Sequence, residues 1–217
     1  MSIRIAVLFI NSQKRRLHMA DKPIKVRRLP LAINSIAIPG VKGLIGVCQC
    51  PGLKEEMTRF SLSGASLIND LVTIHNWGAA AVVTLLEDFE ITTLGVRDLP
   101  NKIKQLGIRW HHLPIRKAGL PDPAFDELWH TIAPSLYKLL ESGKRIVVHC
   151  EKGVGRSALV AARILIEHGI PAESAISRIQ ESLPGSLQLL SQENYCHNLA
   201  TGILTSQTND QASFLSV

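Results

Sequence analysis

No stretch of this 217-residue sequence approaches the ~18 consecutive apolar residues that a membrane-spanning helix needs. The apolar run at residues 5–10 is too short for a signal-peptide core. It leads into Lys14-Arg15-Arg16 with no small-residue cleavage pattern behind it. A cytoplasmic location is therefore expected. Cysteine is scarce: Cys48, Cys50, Cys150 and Cys196 are the only four, without the spacing of a disulfide framework. Cys48 and Cys50 have one residue between them, and no second pair follows, so a zinc knuckle is not expected. The expectation is an unstapled chain with no metal and no cofactor. No internal repeat is present.

What is abundant is positive charge, but it is local. The formal net charge is +6. Residues 1–30 hold Arg4, Lys14, Arg15, Arg16, Lys22, Lys25, Arg27 and Arg28 against Asp21 alone, eight minus one, or +7. The remainder has sixteen bases and seventeen acids, or −1. A basic patch spread over a fold would suggest nucleic acid; a basic arm on a neutral body does not, and no nucleic-acid partner is expected. Residues 1–30 read as an N-terminal extension, within which Met19 is a candidate start of translation. Residues 31–204 read as one domain, which suits this length. Residues 205–217, polar and without a helical stripe, read as a flexible tail. Nothing in the sequence sets an oligomeric state.

Within the body, strand and helix patterns alternate. Apolar runs at 43–50, 80–86, 108–115 and 145–150 read as strands. Helical spacing marks 61–77, 99–106, 123–141, 157–168, 172–183 and 191–204, with glycines closing several of them. Pro134 is expected to kink or divide the 123–141 helix. Such alternation predicts an α/β fold, with a mostly parallel central sheet of four to five strands and helices on both faces.

The chemistry concentrates after the strand at 145–150, in His149-Cys150-Glu151-Lys152-Gly153-Val154-Gly155-Arg156-Ser157. The two glycines let successive backbone N–H groups turn toward one point. The helix starting near Ser157 aims the positive end of its dipole there. Arg156 adds a planar fork for two oxygens of a phosphate. A thiol in such surroundings is a candidate nucleophile, acting through a phosphocysteine.

This nonapeptide resembles the HCxxGxxRS signature of the cysteine-dependent protein phosphatases. From about Leu44 to Leu199 the chain is similar to their dual-specificity branch, and most similar to the kinase-associated phosphatase (cyclin-dependent kinase inhibitor-3) family. The supporting segments are GVCQCPGLK at 46–54, HHLPI at 111–115, GLPD at 119–122 and SQENY at 191–195. The resemblance implies hydrolysis of phosphotyrosine, phosphothreonine or phosphoserine on protein substrates without a metal. It assigns Cys150 as nucleophile and Glu151, Lys152, Gly153, Val154, Gly155 and Arg156 as the phosphate-binding loop. Arg156 is the phosphate clamp, Ser157 the hydroxyl that helps the thiolate leave, and Gln192 a candidate for positioning water. His149 is implied to orient the loop.

The pattern breaks at the general acid. The family places an Asp two positions after the Pro-Ile pair; here that position is Lys117, in Pro114-Ile115-Arg116-Lys117. A Lys of ordinary pKa is a poor acid at neutral pH. Asp122 is the nearest carboxylate on the loop and the candidate acid, although Asp122-Pro123 also reads as a helix N-cap. Glu87 and Asp88, at the same edge of the sheet, are further candidates. A third option is catalysis without an enzymic acid, which favours aryl esters. The alternative function is a phosphate-binding module with weak or no turnover. Arg116, Lys117 and Lys152 beside the mouth would attract acidic or polyanionic substrates. His111 and His112, adjacent on a strand, are expected to point to opposite faces, one of them toward the pocket.

Overall fold

A computed structural model describes residues 30–53 and 63–214, the side chains at 63–65 and 203–214 excepted. The basic extension expected over 1–30 lies outside these residues, apart from Pro30, as do residues 215–217.

Five strands form one sheet in the order β1-β2-β5-β3-β4. They are β1 (Asn34–Ala37), β2 (Leu44–Cys48), β3 (Ala79–Thr84), β4 (Arg109–His112) and β5 (Arg145–His149). β5 lies at the centre, parallel to both β2 and β3; β4 is parallel to β3, and β1 runs antiparallel on β2. The central strands are apolar along their length because both faces of the sheet are covered. In β5, Ile146 and Val148 enter one core while Val147 enters the other. The strand's period of two thus feeds both layers.

One layer holds α1 (Ser63–Asn76), α2 (Asp88–Thr93) and α3 (Leu99–Gln105), packed through Leu67, Leu71, Ile91, Leu99 and Ile103. The other holds α4 (Pro123–Glu141), α5 (Arg156–Glu167), α6 (Ala172–Ser182) and α7 (Leu190–Phe214). The α/β architecture with a mostly parallel sheet and helices on both faces is therefore present. α5 is buried from Arg156 to Ile166, sandwiched between the sheet and the other helices of its layer. A helix apolar on nearly all sides suits that position.

Three features depart from expectation, and Pro134 bears on a fourth. β1 is a strand where none was predicted; it is short, lies at the sheet edge and buries only Ile36. α2 was also unpredicted, being a single six-residue segment. Of the kink or division expected at Pro134, division does not occur: α4 is one helix through it. Burial of Phe125, Trp129, Ala133, Leu136 and Leu140 on one face offsets the ~3 kcal/mol that an interior proline costs. α7 runs to Phe214, ten residues beyond the helical pattern read over 191–204.

A polar cluster ties the helices of the second layer together. Glu167 of α5 accepts from the Trp129 indole (2.9 Å), the Tyr137 hydroxyl and Arg163 Nε (2.8 Å). Arg163 also donates to Asp126 and to the Tyr195 hydroxyl (2.9 Å) on α7. Its guanidinium lies over the rings of Phe125 and Trp129. Burial, followed by the charge of Glu167, pushes the Tyr137 phenol far above its ordinary range, so it remains a donor. No helix among the described residues is long and apolar enough to cross a membrane.

Because β5 feeds both cores, truncation there should be costly. Ile146→Ala should lower unfolding free energy by about 3 kcal/mol. Ile68→Ala, at a position 50% exposed on α1, should change it by less than about 0.5 kcal/mol. Urea denaturation of the two variants checks this; equal losses would contradict the two-core packing.

Candidate active site

β5 ends at His149, and the chain turns through residues 150–155 into α5. The loop therefore lies at the carboxyl edge of the parallel strands, where open α/β sheets bind ligands. Gly153 makes the turn possible. Its φ is +80°, and a Cβ there would come within 2.7 Å of the Cys48 carbonyl carbon. Any other side chain would be both strained and obstructed. Gly155 occupies the N-cap of α5.

The loop closes around Cys150, which is 3% exposed. Its Sγ accepts from the Gly153 N–H at 3.3 Å and lies 3.2 Å from Ser157 Oγ. Ser157 is fully buried in the first turn of α5. A thiolate at this position would have an amide, a hydroxyl and a helix N-terminus directed at it. Cys150, its loop and the Ser157 hydroxyl thus lie together.

Arg156 is held by a residue that sequence reasoning missed. Its Nη1 and Nη2 donate to the two carboxylate oxygens of Glu90, at 2.6 and 2.8 Å. Nη1 also donates to the Ile115 carbonyl at 2.8 Å, and more weakly to that of Leu85 at 3.3 Å. Both members of the ion pair are buried. Among the described residues, this leaves the Nε–H and one Nη2–H, on the adjacent edge of the guanidinium, for two oxygens of a ligand. Burial pushes the Glu90 carboxyl pKa up, but hydrogen bonds from Arg156 and the Glu87 amide, with the charges of Arg156 and Lys117, bring it below the ordinary value. Glu90 was legible only through the short motif Glu87-Asp88-Phe89-Glu90 after β3. There Glu90 reaches back to the Glu87 N–H (2.9 Å) at the start of α2.

Asp122 is the N-cap of α4, and its Oδ1 accepts from the Phe125 N–H at 2.9 Å. Glu87 Oε2 accepts from the Lys117 N–H at 3.0 Å. The Asp88 side chain is 95% exposed, 3.9 Å from His112 Nδ1. Lys117, at the family's acid position, places its ammonium 2.8 Å from Glu151 Oε2. That hydrogen bond and the carboxylate's charge raise the Lys117 pKa, making it a still poorer proton donor. Arg116 and Lys152 are exposed. Gln192 lies half-buried in the first turn of α7; among the described residues, no hydrogen bond joins its side chain to the loop.

The histidines serve as structure. His149 is fully buried, its Nε2 2.8 Å from Thr84 Oγ1, which also accepts from the Trp110 indole at 2.9 Å. Burial lowers its pKa to about 4, so the ring is neutral near pH 7. His112 Nε2 donates to the Leu86 carbonyl at 2.7 Å, and the ring stacks on Trp110. His111, half-buried, has its pKa lowered by burial and by Arg109. The remaining thiols keep their protons. Burial, then the charges of Cys150 and Asp70, pushes Cys50 up to about 12. Burial and Cys50 raise Cys48 well above its ordinary value. Burial and Glu193 raise Cys196 to about 11.

Comparison with known proteins agrees with this geometry. The family model for cyclin-dependent kinase inhibitor 3 matches residues 2–176. The human cyclin-dependent kinase inhibitor 3 is 28% identical over 182 residues, covering 82% of each chain. The crystal structure of kinase-associated phosphatase, with its catalytic-site cysteine replaced by serine, superposes with a TM-score of 0.71. It is 26% identical, and the match covers 82% of this chain and 98% of that one. Tk-PTP in its active form, 20% identical with a TM-score of 0.57 over 77% of this chain and 97% of that one, shares the fold. The chain belongs to the cyclin-dependent kinase inhibitor 3 family, within the dual-specificity cysteine phosphatases.

Proposed function

We propose that this protein hydrolyses phosphomonoesters on phosphoprotein substrates, with Cys150 as the nucleophile. The observation that carries the reading is the closed loop around the Cys150 sulfur, with the unspent edge of Arg156 beside it. In the first step Sγ attacks phosphorus and the bond to the leaving-group oxygen breaks, giving phosphocysteine. The loop amides of residues 151–156 and the Nε–Nη2 edge of Arg156 hold the three equatorial oxygens, stabilising charge as it develops. In the second step water displaces the sulfur, and Ser157 Oγ, 3.2 Å away, donates a hydrogen bond to the departing thiolate. Gln192 is the candidate for holding that water. No metal or cofactor is needed. The binding-only alternative rests on Lys117 alone, whereas the nucleophile, clamp and hydroxyl are all present.

The leaving group needs a proton in proportion to its basicity. Asp122 is the sequence's candidate donor, but its carboxylate caps α4 and would have to release Phe125 to act. Lys117 is held as a cation by Glu151. Aryl esters, whose phenolate departs without help, should therefore be strongly preferred. The reduced protein should turn over p-nitrophenyl phosphate and phosphotyrosine peptides at least about 100-fold faster than phosphothreonine peptides, the rate a missing general acid forfeits. Cys150→Ser should abolish both activities. Asp122→Asn, which preserves a cap, should leave the pH–rate profile unchanged. Loss of its alkaline limb would instead make Asp122 the acid, and no turnover of any aryl phosphate would defeat the assignment.

Glu90→Gln tests how the clamp is held. It leaves a buried guanidinium without a counter-charge, which should lower stability by about 3 kcal/mol and kcat/KM by about 100-fold through misplacement of Arg156. Because the folded-state pKa of Glu90 is depressed, its contribution is fully present above the unfolded value of about 4.3. It is lost as pH falls through the folded value. The stability gap between wild type and variant should therefore close below about pH 4. A gap that stays constant there would contradict the charge-pair origin.

A further inference from the structure

The family's acid position and the phosphate loop are joined here by a bond between opposite charges. Lys117 sits in a turn closed by the Gly119 N–H donating to the Arg116 carbonyl at 2.8 Å, with Ala118 at φ +58°. Its own N–H donates to Glu87. The Glu87 N–H in turn donates to Glu90, which grips Arg156. The backbone of Lys117 is thus fixed relative to the phosphate clamp. Its ammonium reaches across to Glu151, the residue after the nucleophile.

A carboxylate in a loop built for a dianion is unfavourable unless it is neutralised. Lys117 neutralises it. The pair is also easy to exchange: the Lys117 side chain is 60% exposed and that of Glu151 21%. Exposed ion pairs contribute little and can be broken at small cost. Arg116 and Lys152 flank the pair and are exposed, so the rim is positive once Glu151 has been replaced as partner.

We propose that Lys117 selects substrates carrying a second anionic group beside the scissile phosphate, and that Glu151 is the internal counter-charge which that group displaces. The inference rests on the phosphatase reading and adds a substrate class to it. The second group is a carboxylate or a phosphate. Glu151 competes with the second group for the Lys117 ammonium, so it moderates the preference that Lys117 creates. No covalent chemistry is involved; Lys117 is a specificity residue and donates no proton.

The test is kcat/KM for three sets of phosphotyrosine peptides: neutral flanks, Asp/Glu flanks, and a second phosphorylated residue. Each is measured at low and high salt with wild type, Lys117→Ala, Lys117→Arg and Glu151→Gln. Wild type should favour one or both anionic sets by about fivefold at low salt, the upper range for an exposed pair, and less at high salt. Which set responds identifies the second group. Lys117→Ala should erase the preference, Lys117→Arg should retain it, and Glu151→Gln should enlarge it. Equal use of all three sets by wild type, or a preference that survives Lys117→Ala, would overturn the proposal. If wild type turns over nothing, the phosphatase reading fails separately. Peptide binding to Cys150→Ser then measures the same preference and its dependence on Lys117.

Discussion

The site depends on one buried ion pair. In the proposed mechanism Arg156 presents two N–H groups to a phosphate, yet a free guanidinium in an apolar core would be too costly to bury. Glu90 resolves this by taking the end-on edge with both oxygens, at 2.6 and 2.8 Å, and among the described residues nothing takes the side edge. The carbonyls of Ile115 and Leu85 complete the grip. The clamp is thereby tied to α2, to the end of β3 and to the loop that follows β4. Three segments distant in sequence converge on one side chain, and its position is as firm as the sheet beneath it.

That sheet explains why the convergence is possible. β3, β5 and β2 run parallel, so their carboxyl ends emerge at one edge and their following loops meet there. β5 is central and buried on both faces, which makes it the least mobile platform for a nucleophile. α5, whose first turn supplies Arg156 and Ser157, is buried along nearly its whole length and fastened to α4 and α7 by the Glu167–Arg163 cluster. Helix dipole, loop amides and guanidinium are fixed before any ligand arrives. This preorganisation suits charge stabilisation during phosphoryl transfer.

The candidate phosphate loop was legible in the sequence because its parts are contiguous: strand, thiol, two glycines, Arg and helix lie within a short span. The parallel sheet was legible for a similar reason, since doubly covered strands such as residues 145–149 are apolar throughout. What stayed hidden depends on tertiary contacts. Glu90 is one acid among many until folding brings α2 against Arg156. β1 has a single buried side chain, Ile36, and so no alternating pattern strong enough to mark it. The polar run beyond Leu204 carries no apolar stripe, yet continues the helix. Lys117 was visible as a break in the family pattern, but its partner was not, because Glu151 faces it only across the assembled mouth. Asp122 was legible in both its roles, and the structure has it in the capping one.

The central claim is that Cys150 carries the phosphoryl group between two half-reactions. The most direct measurement is rapid denaturing quench of the reduced protein with phosphate-labelled aryl ester, followed by peptide mapping near neutral pH. The account predicts label on the peptide containing Cys150, iodine-labile as a thiol phosphate is, and absent from Cys150→Ser. It also predicts accumulation in Ser157→Ala, in which the departing thiolate loses its hydrogen bond. Rapid turnover with no labelled Cys150 peptide, or label on another residue, would contradict it.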